Sequence, residues 1–280
     1  MIAPEWDIQH LCIGLVNNMP DAVKPAAERQ FRDLLAAAAQ NVCVSVSVYS
    51  LETIDALWGA QLDGLIVTGR EPRTRTLTSE PYWPTLAAVI EWAERNTYST
   101  IWSCLAAHAA VLHIDGIERR ALNQKLFGVF DCAKVAEHPL MSATPSRWCV
   151  PHSRWNDLAA HKLEACCYRI LTRSPQAGAD IFIKHRRRSL FVFCQGHPEY
   201  DSETLWLEYR RDLRRFLQGL VPRPSLPHGN TYGAAWRPGA IRLYRNWLDY
   251  LHSRKSLQHN ARLRLRHNQA GYAQASQVGR

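Results

Sequence analysis

In the first 115 residues short apolar runs alternate with amphipathic stretches, and this alternation restricts the possible folds more than any other feature of the chain. Residues 11–16 read as an apolar strand that stops at Asn17-Asn18-Met19-Pro20-Asp21. Residues 26–39 carry Phe31, Leu34, Leu35 and Ala38 at helical spacing, which places them on one face. Residues 42–49 alternate as a strand, 51–57 suit a short helix, and 64–69 form a short buried-type strand. Residues 84–96 predict a helix with Leu86, Val89, Ile90 and Ala93 inward, and 99–103 a strand that runs through Cys104 into an alanine-rich helix. This is the grammar of an α/β protein with a doubly wound, mostly parallel sheet. Between residues 123 and 180 the signals turn to shorter strands and loops. A helix over 202–218, capped by Asp201 or Ser202, a Pro/Gly-rich stretch over 219–239 and a last helix over 240–252 complete the expected domain, 1–252.

Composition excludes several classes. With 46% hydrophobic residues the chain can bury an ordinary core, and it has no run approaching the roughly 18 apolar residues of a membrane span. Its first residues, Met-Ile-Ala-Pro-Glu-Trp-Asp, lack the basic start and apolar centre of a secretory signal, so a cytoplasmic protein without membrane partners is expected. The eight cysteines have no paired CxxC spacing, which suits reduced thiols and argues against a zinc site. Of the net charge of +9, six positive charges lie in residues 253–280, which contain no acid. That segment reads as a basic, poorly ordered tail, and the nearly balanced body gives no nucleic-acid surface. Lys184-His-Arg-Arg-Arg188 reads as an exposed hairpin turn between two apolar runs.

Chemistry concentrates at two strand ends. Cys104 sits where a strand meets a helix, so its sulfur lies near unpaired backbone N–H groups and the positive end of the helix dipole, both of which favour a thiolate. Almost a hundred residues later another buried-type strand ends in Gly196-His197-Pro-Glu199. Strand C-termini gather at one edge of an open α/β sheet, where His197 could reach Cys104 and Glu199 could orient the imidazole. The three supply the nucleophile, base and orienter of a covalent catalyst. His108, one helical turn beyond Cys104, is expected to pack beside the site, and Cys194 to be buried.

Leu15-Val-Asn-Asn-Met-Pro20, Asp63-Gly-Leu-Ile-Val-Thr-Gly69, Tyr82-Trp-Pro84, Cys104, Lys125-Leu-Phe-Gly-Val129, Pro151-His-Ser-Arg154, Gly196-His-Pro-Glu-Tyr-Asp201 and Arg245-Asn-Trp-Leu248 follow one another as in the homoserine O-succinyltransferase family. The chain resembles that family from about residue 11 to 250. The resemblance implies a class I glutamine amidotransferase-like, flavodoxin-like fold and an enzyme of methionine biosynthesis. It implies Cys104 as the nucleophile that takes an acyl group from acyl-CoA, His197 as base and Glu199 as its orienter. It further implies an oxyanion hole from the backbone of Leu105 and Arg70, Arg211 as the grip on the amino-acid carboxylate, and Lys125 and Ser153 as pocket residues. His152 is an equally good polar candidate beside Ser153. Acyl-CoA would be a co-substrate, with no tightly bound cofactor, no metal, small-molecule substrates and a homodimer as the expected assembly.

The chain also departs from the family's pattern. Many members continue after Thr-Gly with Ala-Pro and then a residue that is small for succinyl or acidic for acetyl transfer. Here the loop reads Arg70-Glu-Pro-Arg73-Thr-Arg75, and an ungapped count places Arg73 at the discriminating position, where it could pair with a succinyl carboxylate. Leu-Ala-Ala-His after the cysteine and a mostly missing N-terminal extension differ as well. Succinyl transfer from succinyl-CoA to homoserine is the leading expectation, with acetyl transfer or a serine acceptor as alternatives on the same scaffold. From other classes there remain a non-catalytic binding protein and a glutamine amidotransferase. The latter usually shows Gly-x-Cys-x-Gly where this chain has Trp102-Ser-Cys-Leu-Ala106.

Overall fold

In the computed structural model of the chain, which describes residues 10–278, the apolar runs become strands β1 (His10–Val16), β2 (Cys43–Tyr49), β3 (Gly64–Val67) and β4 (Ser99–Ser103). Between them lie helices α1 (Lys24–Ala38), α2 (Asp55–Trp58) and α3 (Trp83–Asn96), and α4 (Leu105–Asp115) follows Cys104. The middle of the chain forms β5 (Arg120–Lys134), β6 (Arg147–Asp157), α5 (Ala160–Ala165), β7 (Arg169–Ile170), β8 (Thr172–Ser174) and β9 (Gly178–Ala179). A hairpin of β10 (Ile181–Arg186) and β11 (Ser189–Cys194) leads to α6 (Thr204–Leu217) and α7 (Arg237–Val278).

Among the described residues the main sheet runs β2-β1-β3-β4-β11-β10-β7. β2, β1, β3, β4 and β11 are parallel neighbours, and β10 and β7 close one edge antiparallel. Alternation along each strand divides the core. Leu11, Ile13 and Leu15 of β1, Ile66 of β3 and Ile101 of β4 pack with α1 and α7. Val16, Leu65, Val67 and Trp102 pack with α3 and α4 on the other face. Each fully buried aliphatic side chain of this kind stabilises the fold by about 1.5–3 kcal/mol, so two covered faces are what a parallel sheet requires. The doubly wound arrangement is therefore present as expected, and its parallel strands direct their C-terminal ends to a common edge.

Residues 120–179 hold more strand than the local signals suggested. β5 and β6 pair antiparallel over most of their length and, with β8 and β9, make a second four-stranded sheet in the order β6-β5-β8-β9. Polar positions such as Asn123, Gln124 and Lys125 disguise β5, because one of its faces meets charged side chains of α6 rather than an apolar core. The Pro/Gly-rich segment crosses β5 at Gly128, whose φ is +133°. His228 bonds both flanking residues there, its N–H to the Phe127 carbonyl at 2.9 Å and its carbonyl from the Val129 N–H at 2.8 Å.

Three expected boundaries differ. Lys184 and Arg186 lie within β10, leaving only Arg187 and Arg188 in the turn. They are also paired, Lys184 with Asp115 at 2.7 Å and Arg186 with Glu94 at 2.6 Å, so this is not a free charged turn. Neither Asp201 nor Ser202 caps α6. Its N-cap is Glu203, and Asp201 instead accepts from Arg29 and Gln30 of α1. The last helix does not stop at His252 but continues to Val278. The segment has no proline to stop it, and alanine, glutamine, leucine and arginine all favour helix. Its first turns are also held to the sheet, because Lys255 donates to the His10 carbonyl and to Asp63.

A Cβ at position 128 would stand 2.2 Å from the His228 backbone nitrogen. Gly128→Ala is therefore expected to destabilise the protein by about 2–4 kcal/mol, through overpacking and a strained φ. Thermal unfolding should show a Tm lower by several degrees. An unchanged Tm would mean that the crossing segment yields freely.

Candidate active site

β3, β4 and β11 are adjacent and parallel, so the residues that follow them meet at the sheet edge. Val67 pairs with Trp102, and Ser103 with Cys194. Beyond these pairs come Gly69-Arg70, Cys104-Leu105 and His197-Glu199. Cys104 takes φ 50° and ψ −111°, a conformation that costs a residue with a Cβ about 1–3 kcal/mol and turns the strand sharply into α4. Its amide donates to the Cys194 carbonyl at 2.7 Å, which fixes the elbow to the strand bearing the histidine. Leu105, as the first residue of α4, has no intrahelical acceptor for its N–H. Gly69 packs against that group so closely that a Cβ there would lie 2.6 Å from it. The backbone of the Gly69-Arg70 turn and the Leu105 amide thus share one small space beside Cys104.

His197 is buried and donates from Nδ1 to Glu199 Oε1 at 2.8 Å, leaving Nε2 for Cys104, whose sulfur favours the charged imidazole. Burial opposes a charge on the imidazole, but the Cys104 sulfur and the Glu199 carboxylate outweigh it and lift His197 well above its ordinary range. The ring stacks on Tyr200 with centroids 4.2 Å apart and planes inclined by 17°. Tyr200 in turn donates through its hydroxyl to Glu208 at 2.6 Å.

Glu208 connects this triad to a second group of side chains. The β5–β6 register sets Phe127 opposite Ser153, and Lys125 Nζ lies 4.3 Å from the centre of the Phe127 ring, which brings Lys125 and Ser153 to one face of the second sheet. α6 turns Leu205, Glu208 and Asp212 toward that face. Lys125 Nζ lies 2.7 Å from Asp212 and 3.4 Å from Glu208, and the Ser153 hydroxyl donates to Glu208. Arg211 bonds Asp212 at 2.9 Å and is half exposed, with its guanidinium beside the same carboxylates. Burial would raise the Glu208 pKa, but Lys125, Arg211 and the hydroxyls of Ser153 and Tyr200 hold it below the usual carboxylate range. Lys125, Ser153 and Arg211 therefore meet at one carboxylate pair, and that pair reaches His197 through Tyr200.

Arg73 is not drawn into this cluster. Its side chain is exposed, and its amide, with that of Thr74, donates to Glu80 Oε1 at 2.7 Å. Arg70 is half buried, with its guanidinium 5.3 Å from the centre of the Tyr82 ring. His152 lies fully buried behind the base in a group with Cys132 and Asp180, whose ligand atoms come within 4.8 Å of one another. Asp180 accepts there from Thr172 and from the Gly196 amide, so the group braces the backbone that carries His197. His108 donates to Gln195 at 2.8 Å and faces away from the base's role. Sequence reasoning missed Tyr200, Glu208 and Asp212. Two acids at helical spacing from the buried Leu205, in a helix otherwise rich in arginine, were the available signal.

The fold defines a class: the main sheet and its covering helices are those of class I glutamine amidotransferase-type proteins. The glutaminase domain of CTPS from Trypanosoma brucei superposes with a TM-score of 0.57 at 11% identity, over 87% of this chain and 94% of that one. A glutamine amidotransferase from Thermotoga maritima gives 0.56 at 16%, over 87% and 99%. Within that class, the family model for homoserine O-succinyltransferase matches residues 1–257, and the chain belongs to that family. Its relatives include homoserine O-succinyltransferases, acyltransferase enzymes, of Rhodopseudomonas palustris and Methylorubrum extorquens. The first is 53% identical over 74% of this chain and 67% of the relative, the second 41% over 91% of each. Among the described residues no helix is long and apolar enough to cross a membrane.

Burial, with the Arg154 charge adding to it, pushes the His108 pKa down to about 3 from an ordinary 6.5. The unfolded chain takes up this proton near pH 6.5 and the folded chain only near 3, so the neutral ring's contribution to stability is complete above 6.5 and is lost as pH falls. The slope is up to about 1.4 kcal/mol per pH unit. Measured by denaturant unfolding from pH 7 to 4.5, His108→Gln should show a shallower loss of stability than the parent protein. Parallel curves would place the buried charge cost elsewhere.

Proposed function

We propose that the protein transfers a succinyl group from succinyl-CoA to the hydroxyl of L-homoserine, through a thioester on Cys104. The observation that carries this reading is the joining of Cys104, His197 and Glu199 to Lys125, Ser153 and Arg211 by the single relay of Tyr200 and Glu208. The family and its named relatives support the same activity.

In the first half-reaction the Cys104 sulfur, its proton held by His197, attacks the thioester carbonyl carbon. The developing oxyanion would accept from the Leu105 and Arg70 amides, and donors so placed are commonly worth about 3–4 kcal/mol of barrier. The tetrahedral adduct then expels CoA as its thiolate, which takes the proton from His197 and leaves as the thiol. His197, now neutral and held by Glu199, removes the proton from the homoserine hydroxyl as its oxygen attacks the new thioester. Collapse releases O-succinylhomoserine and restores the sulfur with its proton on His197. For the acceptor, Arg211 and Lys125 offer cations to an α-carboxylate, and Glu208 offers a carboxylate to an α-ammonium group.

The test is CoA release with succinyl-CoA or acetyl-CoA crossed against homoserine or serine. Succinyl-CoA with homoserine is expected to turn over fastest. Cys104→Ser should lower kcat by about a thousandfold or more with KM little changed, the pattern of a residue acting in the chemical step. A Cys104→Ser enzyme with undiminished turnover, or a folded parent protein silent with all four pairs, would overturn the reading.

A further inference from the structure

Past the Gly69 turn that packs on the Leu105 amide lies a second group of charged side chains that the mechanism leaves unused. It is built from the loop after β3, the residue that precedes α3 and the residue that precedes β5. Arg70 holds its guanidinium over the Tyr82 ring. Among the described residues, Arg70 Nε, the Tyr82 hydroxyl and Glu80 Oε2 are each buried without a hydrogen-bond partner. Arg119 is half buried, and its one hydrogen bond to a described residue runs from Nη2 to the Arg75 carbonyl at 3.4 Å, which leaves most of its five N–H donors free. Burial lowers the Arg119 pKa, against the opposing influence of Tyr82, Glu80 and Cys104. Unpartnered buried donors are costly, and Arg70 Nε and the Tyr82 hydroxyl, with a second arginine close by, mark a place for an anion.

We infer that Arg119 and Arg70, with the Tyr82 hydroxyl, form the receptor for the distal carboxylate of the acyl group delivered to Cys104. The inference rests on the acyl-transfer reading above and assigns the acyl selection that the sequence alone gave to Arg73. Charge supports it: Arg70, Arg119 and Arg73 all act on the Tyr82 hydroxyl, with Glu80 as the one opposing carboxylate among the groups acting there, so the surroundings carry excess positive charge that an anion neutralises. Donor geometry supports it too, since a guanidinium and a phenol can bond both oxygens of a carboxylate. The loop is held in place beforehand. Glu80 Oε1 accepts from the amides of Arg73 and Thr74 and from the Thr74 hydroxyl, and Glu71 pairs with Arg215 of α6 at 2.9 Å. Arg70 would then serve twice, its amide at the acyl carbonyl and its side chain at the carboxylate two methylenes away. The phosphates of coenzyme A lie beyond the pantetheine arm, too far from the reacting sulfur to be the anion bound here.

The experiment compares kcat/KM for succinyl-CoA, butyryl-CoA and acetyl-CoA, with homoserine as acceptor, in the parent enzyme and in Arg119→Ala, Arg119→Lys, Tyr82→Phe and Arg73→Ala. In Arg119→Ala the succinyl-to-butyryl ratio is expected to fall by about 10- to 100-fold, the range for loss of a charged hydrogen bond. Most of the change should fall on the KM for succinyl-CoA. Arg119→Lys should recover part of the ratio, Tyr82→Phe should lower it less, and Arg73→Ala should leave it where it was. An unchanged ratio in Arg119→Ala overturns the receptor. So does an equal loss with all three donors, which would assign the arginine to the phosphates that they share. A parent enzyme that releases no CoA from any donor would overturn the acyl-transfer reading itself, a result distinct from turnover with an unmoved ratio.

Discussion

The parallel pairing of β4 with β11 is the interaction on which the site depends. Ser103 and Cys194 end their strands side by side, and the Cys104 amide bonds the Cys194 carbonyl across the gap. A nucleophile and a base separated by 93 positions in sequence are thereby brought within reach by a ladder of backbone hydrogen bonds that involves neither side chain. The rest of the fold protects that ladder: α1 and α7 cover one face of the sheet, α3 and α4 the other, and Trp102 and Phe191 pack edge to face across it, 5.1 Å apart.

Placing these groups in a dry edge requires that every charge have a partner. Glu199 answers His197, and the Glu208–Asp212 pair answers Lys125 and Arg211. Such groups stabilise little once desolvation is counted, and breaking one partner leaves a buried charge uncompensated. Their arrangement therefore reads as positioning rather than as support for the fold. The second sheet exists in the same sense to present Lys125 and Ser153 to α6, while the core of the domain lies elsewhere. The Arg70 Nε and Tyr82 hydroxyl donors are not answered in this way.

The order of strands and helices through residue 115 was legible because two periodicities, 2 and 3.6, leave different patterns of apolar residues. Cys104, His197 and Glu199 were legible because strand ends in an open parallel sheet converge whatever lies between them. β5 was not legible. Its Lys125 faces carboxylates across a gap, and a strand that buries charge on one side looks like a loop when hydrophobicity is the only guide. Glu208 was hidden for the related reason that an arginine-rich helix hides two inward acids. Arg73 was chosen by counting along a loop, and the loop's path turns its side chain to solvent. The length of α7 escaped because its last turns have no apolar periodicity, only residues that favour helix.

The coupling of Cys104 to His197 is the centre of this account, and the titration of His197 tests it most directly. With labelled histidine, its ring resonances in the parent protein should remain in the protonated position well above pH 6.5, because the Cys104 sulfur and Glu199 together hold the proton on the ring against burial. In Cys104→Ala the midpoint should move down by more than about one pH unit, since burial then acts with one counterion fewer. An equal midpoint in the two proteins, or one near 6.5 in both, would contradict the account, because it would mean that the two strand ends meet without sharing a proton.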